Sequence, residues 1–198
     1  MEVLLAPPKG NIELKSYLEW LSSYGFTPII LEPKIQQIYL PLILCGGADI
    51  GKNLTRDSLE YHWIQNALAN NQPIIGICRG MQILNSYFDG LVEDLPELIE
   101  EDHTCDVFMD DTDHTHRLSN FHFVIDRYGN TMKVNSRHHQ YCSELAPNFK
   151  VTHTSFGSNV VEAFEDVEHK IWAVQWHPER SESDDNQYPL TKLKELYF

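Results

Sequence analysis

The sequence predicts an α/β fold on a mostly parallel central sheet, with antiparallel strands added in the second half. Two observations carry this expectation. Through about residue 90, short apolar runs alternate with amphipathic stretches of helical period, the pattern of strands and helices taken in turn. Beyond residue 120, apolar runs follow one another with only turn residues between them, as successive antiparallel strands do.

The elements follow in order. Val3–Leu5 is a short strand. Glu13 to Tyr24 places Leu14, Tyr17, Leu18 and Leu21 on one helical face, and Gly25 stops it. Thr27–Leu31 is a second strand, and Leu42–Cys45 is a third that ends at Gly46-Gly47. Asp57 to Asn70 is a helix with a stripe of Leu59, Trp63, Ile64, Ala67 and Leu68. Pro73–Ile77 is a buried strand leading into Cys78, and Arg79–Phe88 is the helix after it. In the second half, Phe121–Asp126 and Thr131–Val134 flank the hairpin-like turn Tyr128-Gly129-Asn130. Phe149–Ser155, Val160–Phe164 and Ile171–Gln175 come next, separated by turns at Gly157-Ser158-Asn159 and Glu168-His169. A last helix from about Leu190 contributes Leu193 and Leu196 to an apolar face. With no repeat, low-complexity segment or Gly/Ser linker, residues 1–198 are expected to form one domain.

Composition limits the function. Acidic residues outnumber basic ones 29 to 15, for a net charge of −14, so the surface repels phosphate backbones and nucleic acid is not an expected partner. No apolar run approaches the roughly 18 residues of a membrane span, so no membrane partner is expected. The start lacks a basic segment of the signal-peptide type. Four cysteines at 45, 78, 105 and 142 show no zinc-type spacing, which fits a reducing cytoplasm. The stretch 97–113 holds eight acidic residues and no Lys or Arg. It reads as a solvated loop or, less simply, a lid. His103, His114 and His116 lie in or beside it with Cys105, but no pair has a recognised ligand spacing, so no metal is expected.

The chemistry centres on Gly76-Ile-Cys78-Arg-Gly80-Met-Gln82. A strand that stops at a cysteine between two glycines and passes straight into a helix makes a tight, crowded turn. The helix N-terminus then points at the sulfur and favours the thiolate. Taken alone, the motif fits a core cysteine ending a strand equally well. Ala173-Val-Gln-Trp-His177-Pro-Glu179 adds the other parts: a strand delivers His177 to the sheet edge, Pro178 stops the strand, and Glu179 sits just beyond. Cysteine-dependent hydrolysis requires such a histidine, a group to hold its tautomer, and N–H donors for the oxyanion.

These two motifs together resemble the class I (triad) glutamine amidotransferases, over nearly the whole chain. The resemblance implies a flavodoxin-like three-layer sandwich and a single catalytic domain. It implies Cys78 as nucleophile, His177 as acid/base and Glu179 as its orienting partner. It places the oxyanion donors on the backbone N–H groups of Gly47 and Arg79, with Gly46 beside the substrate and Gln82 against the glutamyl group. Val134-Asn-Ser136-Arg-His138-His139-Gln140 is similar to a segment of the γ-glutamyl hydrolase, or peptidase-like, branch, where it lines the glutamyl pocket. On that likeness, Ser136 and His138 hold the α-amino and α-carboxylate groups. Arg137 departs from the branch's more usual leucine, and a guanidinium there suits a carboxylate or phosphate. On the blander alternative, Arg137 points to solvent and His139 is a satisfied core histidine.

The resemblance therefore implies hydrolysis of the γ-glutamyl amide bond of a small molecule through a thioester, without metal or organic cofactor. Small bacterial hydrolases of this kind include one that cleaves γ-glutamyl-CDP-amidate in capsular polysaccharide modification, and this compact chain looks similar to it overall. Two alternatives remain open. One is a glutaminase subunit that delivers ammonia to a partner synthetase, for which the chain itself has no room. The other is a non-catalytic redox sensor from a related elbow-cysteine family, whose members lack the His-Pro-Glu strand end. Oligomeric state is not legible.

Overall fold

The computed structural model describes residues 1–8, 11–35, 37–96, 120–180 and 188–197. Its elements run β1 (Glu2–Ala6), α1 (Asn11–Ser23), β2 (Thr27–Ile30), β3 (Leu42–Leu44), α2 (Leu54–Ala69), β4 (Ile74–Ile77), α3 (Arg79–Tyr87) and β5 (Leu91–Asp94). There follow β6 (Asn120–Asp126), β7 (Thr131–Ser136), β8 (Gln140–Glu144), β9 (Lys150–Ser155), β10 (Val161–Asp166) and β11 (Ile171–Val174). A 3-10 turn spans Pro178–Arg180, and α4 spans Tyr188–Tyr197.

Nine strands form one sheet in the order β2-β1-β3-β4-β11-β10-β9-β6-β7. The five from β2 to β11 are parallel, and the remaining neighbours pair antiparallel. The predicted α/β class, with a parallel core followed by antiparallel strands, is the observed one. Strand β11 joins the two halves. It lies parallel to β4 and antiparallel to β10, which brings the end of the chain's second half beside the Cys78 turn.

Side-chain alternation sorts the parallel strands onto two faces. Val3, Leu5, Ile43, Ile75, Ile77 and Val174 pack with Tyr17, Trp20 and Leu21 of α1 and with Leu190 and Leu193 of α4. Leu4, Leu42, Leu44, Ile74 and Ala173 pack with Trp63, Ile64 and Ala67 of α2 and with Met81, Ile83 and Leu84 of α3. Helices therefore cover both faces, in three layers. Strands β3, β4 and β11 read as continuous apolar runs for this reason, since neither of their faces meets water.

Most boundaries shift from expectation by one or two residues, and two differences are larger. Helix α2 starts at Leu54 instead of Asp57, because the Asn53 side chain caps it by accepting from the Arg56 N–H at 3.1 Å. A separate antiparallel pair, β5 with β8, was not anticipated. The side chain of Leu196 and the whole 97–113 stretch lie outside the described residues, as do His103, Cys105, His114 and His116. No described helix is long and apolar enough to cross a membrane.

Candidate active site

Cys78 occupies the turn between β4 and α3, with φ 52° and ψ −107°. A non-glycine residue at positive φ is costly, on the order of 1–3 kcal/mol, so the surroundings must hold it there. They do so from three sides. The Cys78 N–H donates to the Val174 carbonyl at 2.8 Å, and the Cys78 carbonyl accepts from Met81 at 2.9 Å and Gln82 at 3.2 Å. The flanking glycines are needed because the backbones touch. A Cβ on Gly76 would lie 2.6 Å from the Gly80 oxygen, and one on Gly80 would lie 2.2 Å from the Leu44 oxygen.

His177 follows β11 and is buried with Glu179. Its Nδ1 lies 2.6 Å from Glu179 Oε1, and the Cys78 sulfur is its other hydrogen-bond partner. Burial opposes a charge on the imidazole. The Glu179 carboxylate and the Cys78 sulfur more than offset this and push its pKa up to about 10. Glu179 moves the opposite way. Burial alone would raise it, but the facing imidazole holds it below the usual carboxylate range. The three residues thus form a charge-coupled line from sulfur to imidazole to carboxylate.

Gly46 lies against this line. A Cβ there would sit 2.8 Å from His177 Cε1 and 3.6 Å from Cys78 Cβ. Gly47 follows with φ 155°, and a Cβ there would strike Arg56 Nη1 at 2.1 Å. Arg79 is the first residue of α3, where a helix leaves its N–H groups without intrahelical acceptors. Gln82 is buried one turn later. Its Nε2 donates to the Gln140 carbonyl at 2.9 Å and to Gln175 Oε1 at 3.3 Å, which fixes the amide orientation.

The 134–140 segment divides. Ser136 and His138 are buried, and Arg137 is half-buried. His138 Nδ1 contacts the Gln140 carbonyl at 2.9 Å, and its Nε2 lies 3.7 Å from Glu162 Oε1. Of the two neighbouring histidines, His138 is therefore the buried one. His139, a core histidine on the blander alternative, has a side chain 52% exposed and lies 3.0 Å from Asp49.

Three structural contributions escaped the sequence reading. Asn135 binds both backbone groups of His177: its Oδ1 accepts from the His177 N–H and its Nδ2 donates to the His177 carbonyl, each at 2.8 Å. Tyr17, which reads as an apolar-face residue, places its hydroxyl 2.9 Å from the Gly46 N–H that donates to it. Burial first, and Glu179 second, push that phenol well above its usual pKa. The third is a charged group under the site. Arg79 is 1% exposed and pairs with both Asp57 and Glu60 of α2. The Asp57-x-x-Glu60 spacing was the available signal, but it reads equally as a solvated first turn.

The environments of the described cysteines differ. Burial raises the thiols of Cys45 and Cys142 well above the usual range, and nearby carboxylates add to the effect. No histidine is among the groups that shift either thiol. Limited iodoacetamide treatment at neutral pH should therefore modify Cys78 before Cys45 or Cys142, as read by peptide mass spectrometry. Equal labelling of the three would contradict the charge-coupled arrangement. Among the described residues, no group of three or more His, Cys, Asp or Glu side chains is arranged to hold a metal ion.

Comparison with known proteins bears on the family and the fold. Residues 46–179 match the family described as Peptidase C26. The glutamine amidotransferase-like protein YvdE of Lactococcus lactis is 34% identical, over 86% of this chain and 82% of its own length. The glutamine-hydrolysing GMP synthase of Fusobacterium nucleatum is 29% identical, over 79% of this chain and 27% of its own, longer chain. A solved structure from Thermoplasma acidophilum, described as one component of a GMP synthase, superposes with a TM-score of 0.75 at 18% identity, over 99% of this chain and 93% of that one. At such an identity the structural likeness speaks for the fold alone. The matched span runs from the Gly46-Gly47 loop through Cys78 to Glu179, and so takes in the loop, the cysteine turn and the histidine strand end. The chain belongs to the Peptidase C26 family of class I glutamine amidotransferase-like proteins.

Proposed function

We propose that this protein hydrolyses the γ-glutamyl amide bond of a small molecule, with Cys78 as nucleophile, His177 as acid/base and Glu179 as the group that orients His177. The observation that carries this reading is the buried His177, set between the Cys78 sulfur and Glu179 Oε1 at 2.6 Å. In the first half-reaction the thiolate attacks the side-chain carbonyl carbon. The C–S bond forms, and the π electrons move to oxygen, opposite the N–H groups of Gly47 and Arg79. Collapse breaks the C–N bond, and the departing nitrogen takes its proton from His177. Water then gives a proton to His177 and attacks the thioester. The C–S bond breaks, releasing glutamate and restoring the thiolate. These steps require no metal or organic cofactor. The glutamyl group is assigned to Gly46, Gln82, Ser136, Arg137 and His138.

The leaving group distinguishes two readings. A stand-alone hydrolase acts on a γ-glutamyl conjugate, and the half-buried Arg137 suits one that carries phosphate, such as γ-glutamyl-CDP-amidate. A glutaminase that serves a partner synthetase acts on glutamine itself, and the likeness to a glutamine-hydrolysing GMP synthase supports that second reading. Glutamate release from glutamine, a γ-glutamyl amine and a γ-glutamyl nucleotide amidate separates them. The hydrolase reading expects Cys78-dependent turnover of a conjugate in preference to glutamine. If the conjugate is the nucleotide amidate, Arg137→Leu should raise its KM roughly tenfold while changing that of the amine little. Fast turnover of glutamine alone would favour the glutaminase, and no Cys78-dependent release from any of the three would refute both.

A further inference from the structure

We infer that Arg56 is a positioning residue for the oxyanion site, setting the direction of the Gly47 N–H from behind the loop. The inference rests on the reading of Cys78 as nucleophile. Residues Arg56, Asp57 and Glu60 lie on the first turns of α2 and together grip both loops that flank the sulfur. Arg56 Nη2 donates to the Cys45 carbonyl at 3.2 Å and to the Gly46 carbonyl at 3.1 Å, while its Nε donates to Glu60 Oε1 at 2.8 Å. The other oxygen of Glu60 binds the Arg79 guanidinium. Asp57 divides its oxygens the same way. Oδ1 binds Arg79, and Oδ2 accepts from the Gly51 N–H at 2.8 Å.

Peptide planarity turns this grip into a direction. In a trans peptide the C=O and the following N–H point to opposite sides. With the Cys45 carbonyl held toward α2, the Gly46 N–H must point away from α2. It does so, meeting the Tyr17 hydroxyl of α1 at 2.9 Å. The Gly46 carbonyl is held by the same guanidinium, so the Gly47 N–H is likewise turned away from Arg56. The contact also accounts for Gly47, since a Cβ there would lie 2.1 Å from Arg56 Nη1. The second proposed donor, the Arg79 N–H, belongs to the residue whose side chain Glu60 and Asp57 anchor. One helix end therefore fixes both donors relative to each other.

Arg56 is the member to test, because Asp57 and Glu60 also neutralise the buried Arg79 and their loss would disturb folding. The probes are γ-glutamyl-p-nitroanilide, glutamine and a γ-glutamyl nucleotide amidate, whichever the wild type hydrolyses. Arg56→Met should lower kcat by about 10- to 100-fold with little change in KM, the mark of a group needed in the transition state and not in binding. Arg56→Lys retains a cation beside the same carbonyls and should recover part of that loss. The second-order rate of Cys78 alkylation by iodoacetamide forms no oxyanion and should change less than roughly threefold, a bound set by the order-of-magnitude separation expected from kcat. Three results would overturn the inference: unchanged kcat in Arg56→Met, a rise in KM alone, or an alkylation rate that falls in step with kcat. If Cys78→Ala hydrolyses as well as wild type, or if wild type hydrolyses none of the three probes, the nucleophile assignment itself fails and takes this inference with it.

Discussion

Cys78→Ala should lower γ-glutamyl hydrolysis by at least about 10⁴-fold while the protein stays folded, because no other described group is placed to form the acyl intermediate. Cys45 and Cys142 are buried and their thiols are raised, so neither substitutes for it. Alanine also relieves the strained backbone little, since any residue with a Cβ meets the same cost at φ 52°. Circular dichroism and the thermal midpoint should therefore stay near wild type. The substitution has a second readout at His177. The sulfur is one of the two partners that push that imidazole up to about 10. Without the sulfur, His177 should titrate lower by NMR, and an unchanged titration would show that sulfur and ring are not coupled.

Glu179→Gln carries the next largest effect, a kcat loss of roughly 10²- to 10³-fold, because the amide keeps the shape but not the charge that holds the imidazolium. The change also makes stability depend on pH in a defined way. His177 has a raised pKa in the folded protein, so its contribution is fully present below about 6.5 and is lost as pH rises through about 10. Glu179 has a depressed pKa, so its contribution is present above its ordinary value of 4.5 and is lost as pH falls through the lower folded value. The stability gap between wild type and Glu179→Gln should thus be widest from about pH 5 to 6.5 and should narrow toward pH 10. Urea midpoints measured across that range test it. A gap that stays constant with pH would mean that the contact is not ionic.

The centre of the site was legible because its constraints are local. A buried apolar run, a cysteine between two glycines and a helical pattern specify the β4–α3 turn within a few residues, and the 2.6 and 2.2 Å approaches at Gly76 and Gly80 show why the glycines are required. His177 and Glu179 lie two residues apart at a strand end, which again is a local signal. What the sequence hid was non-local or ambiguous in polarity. The β5–β8 pair joins Leu91–Asp94 to Gln140–Glu144, two short segments whose residues are mostly not buried and carry little apolar alternation. Asn135 acts on His177 from 42 residues away. Arg79 and Glu60 read as surface charges until their pairing is seen, since such residues are seldom fully buried without partners. Tyr17 was correctly placed on the buried face of α1, but periodicity reports the ring and not where the hydroxyl goes.

The Arg56 grip alters how the loop at Gly46-Gly47 is understood. The glycines are small because the loop is pressed between His177 on one side and a charged side chain on the other, with no room for a Cβ at either position. Substituting them would perturb two structures at once, which makes Arg56 the cleaner probe of the loop's role.

The central claim is that Cys78 carries the glutamyl group as a thioester, and rapid acid quenching of a turning-over mixture followed by peptide mass spectrometry tests it most directly. The expected result is a glutamyl mass on the Cys78 peptide of the wild type, labile to hydroxylamine, and absent from Cys78→Ala. A glutamyl mass on any other residue, or continued turnover by Cys78→Ala, would contradict the account.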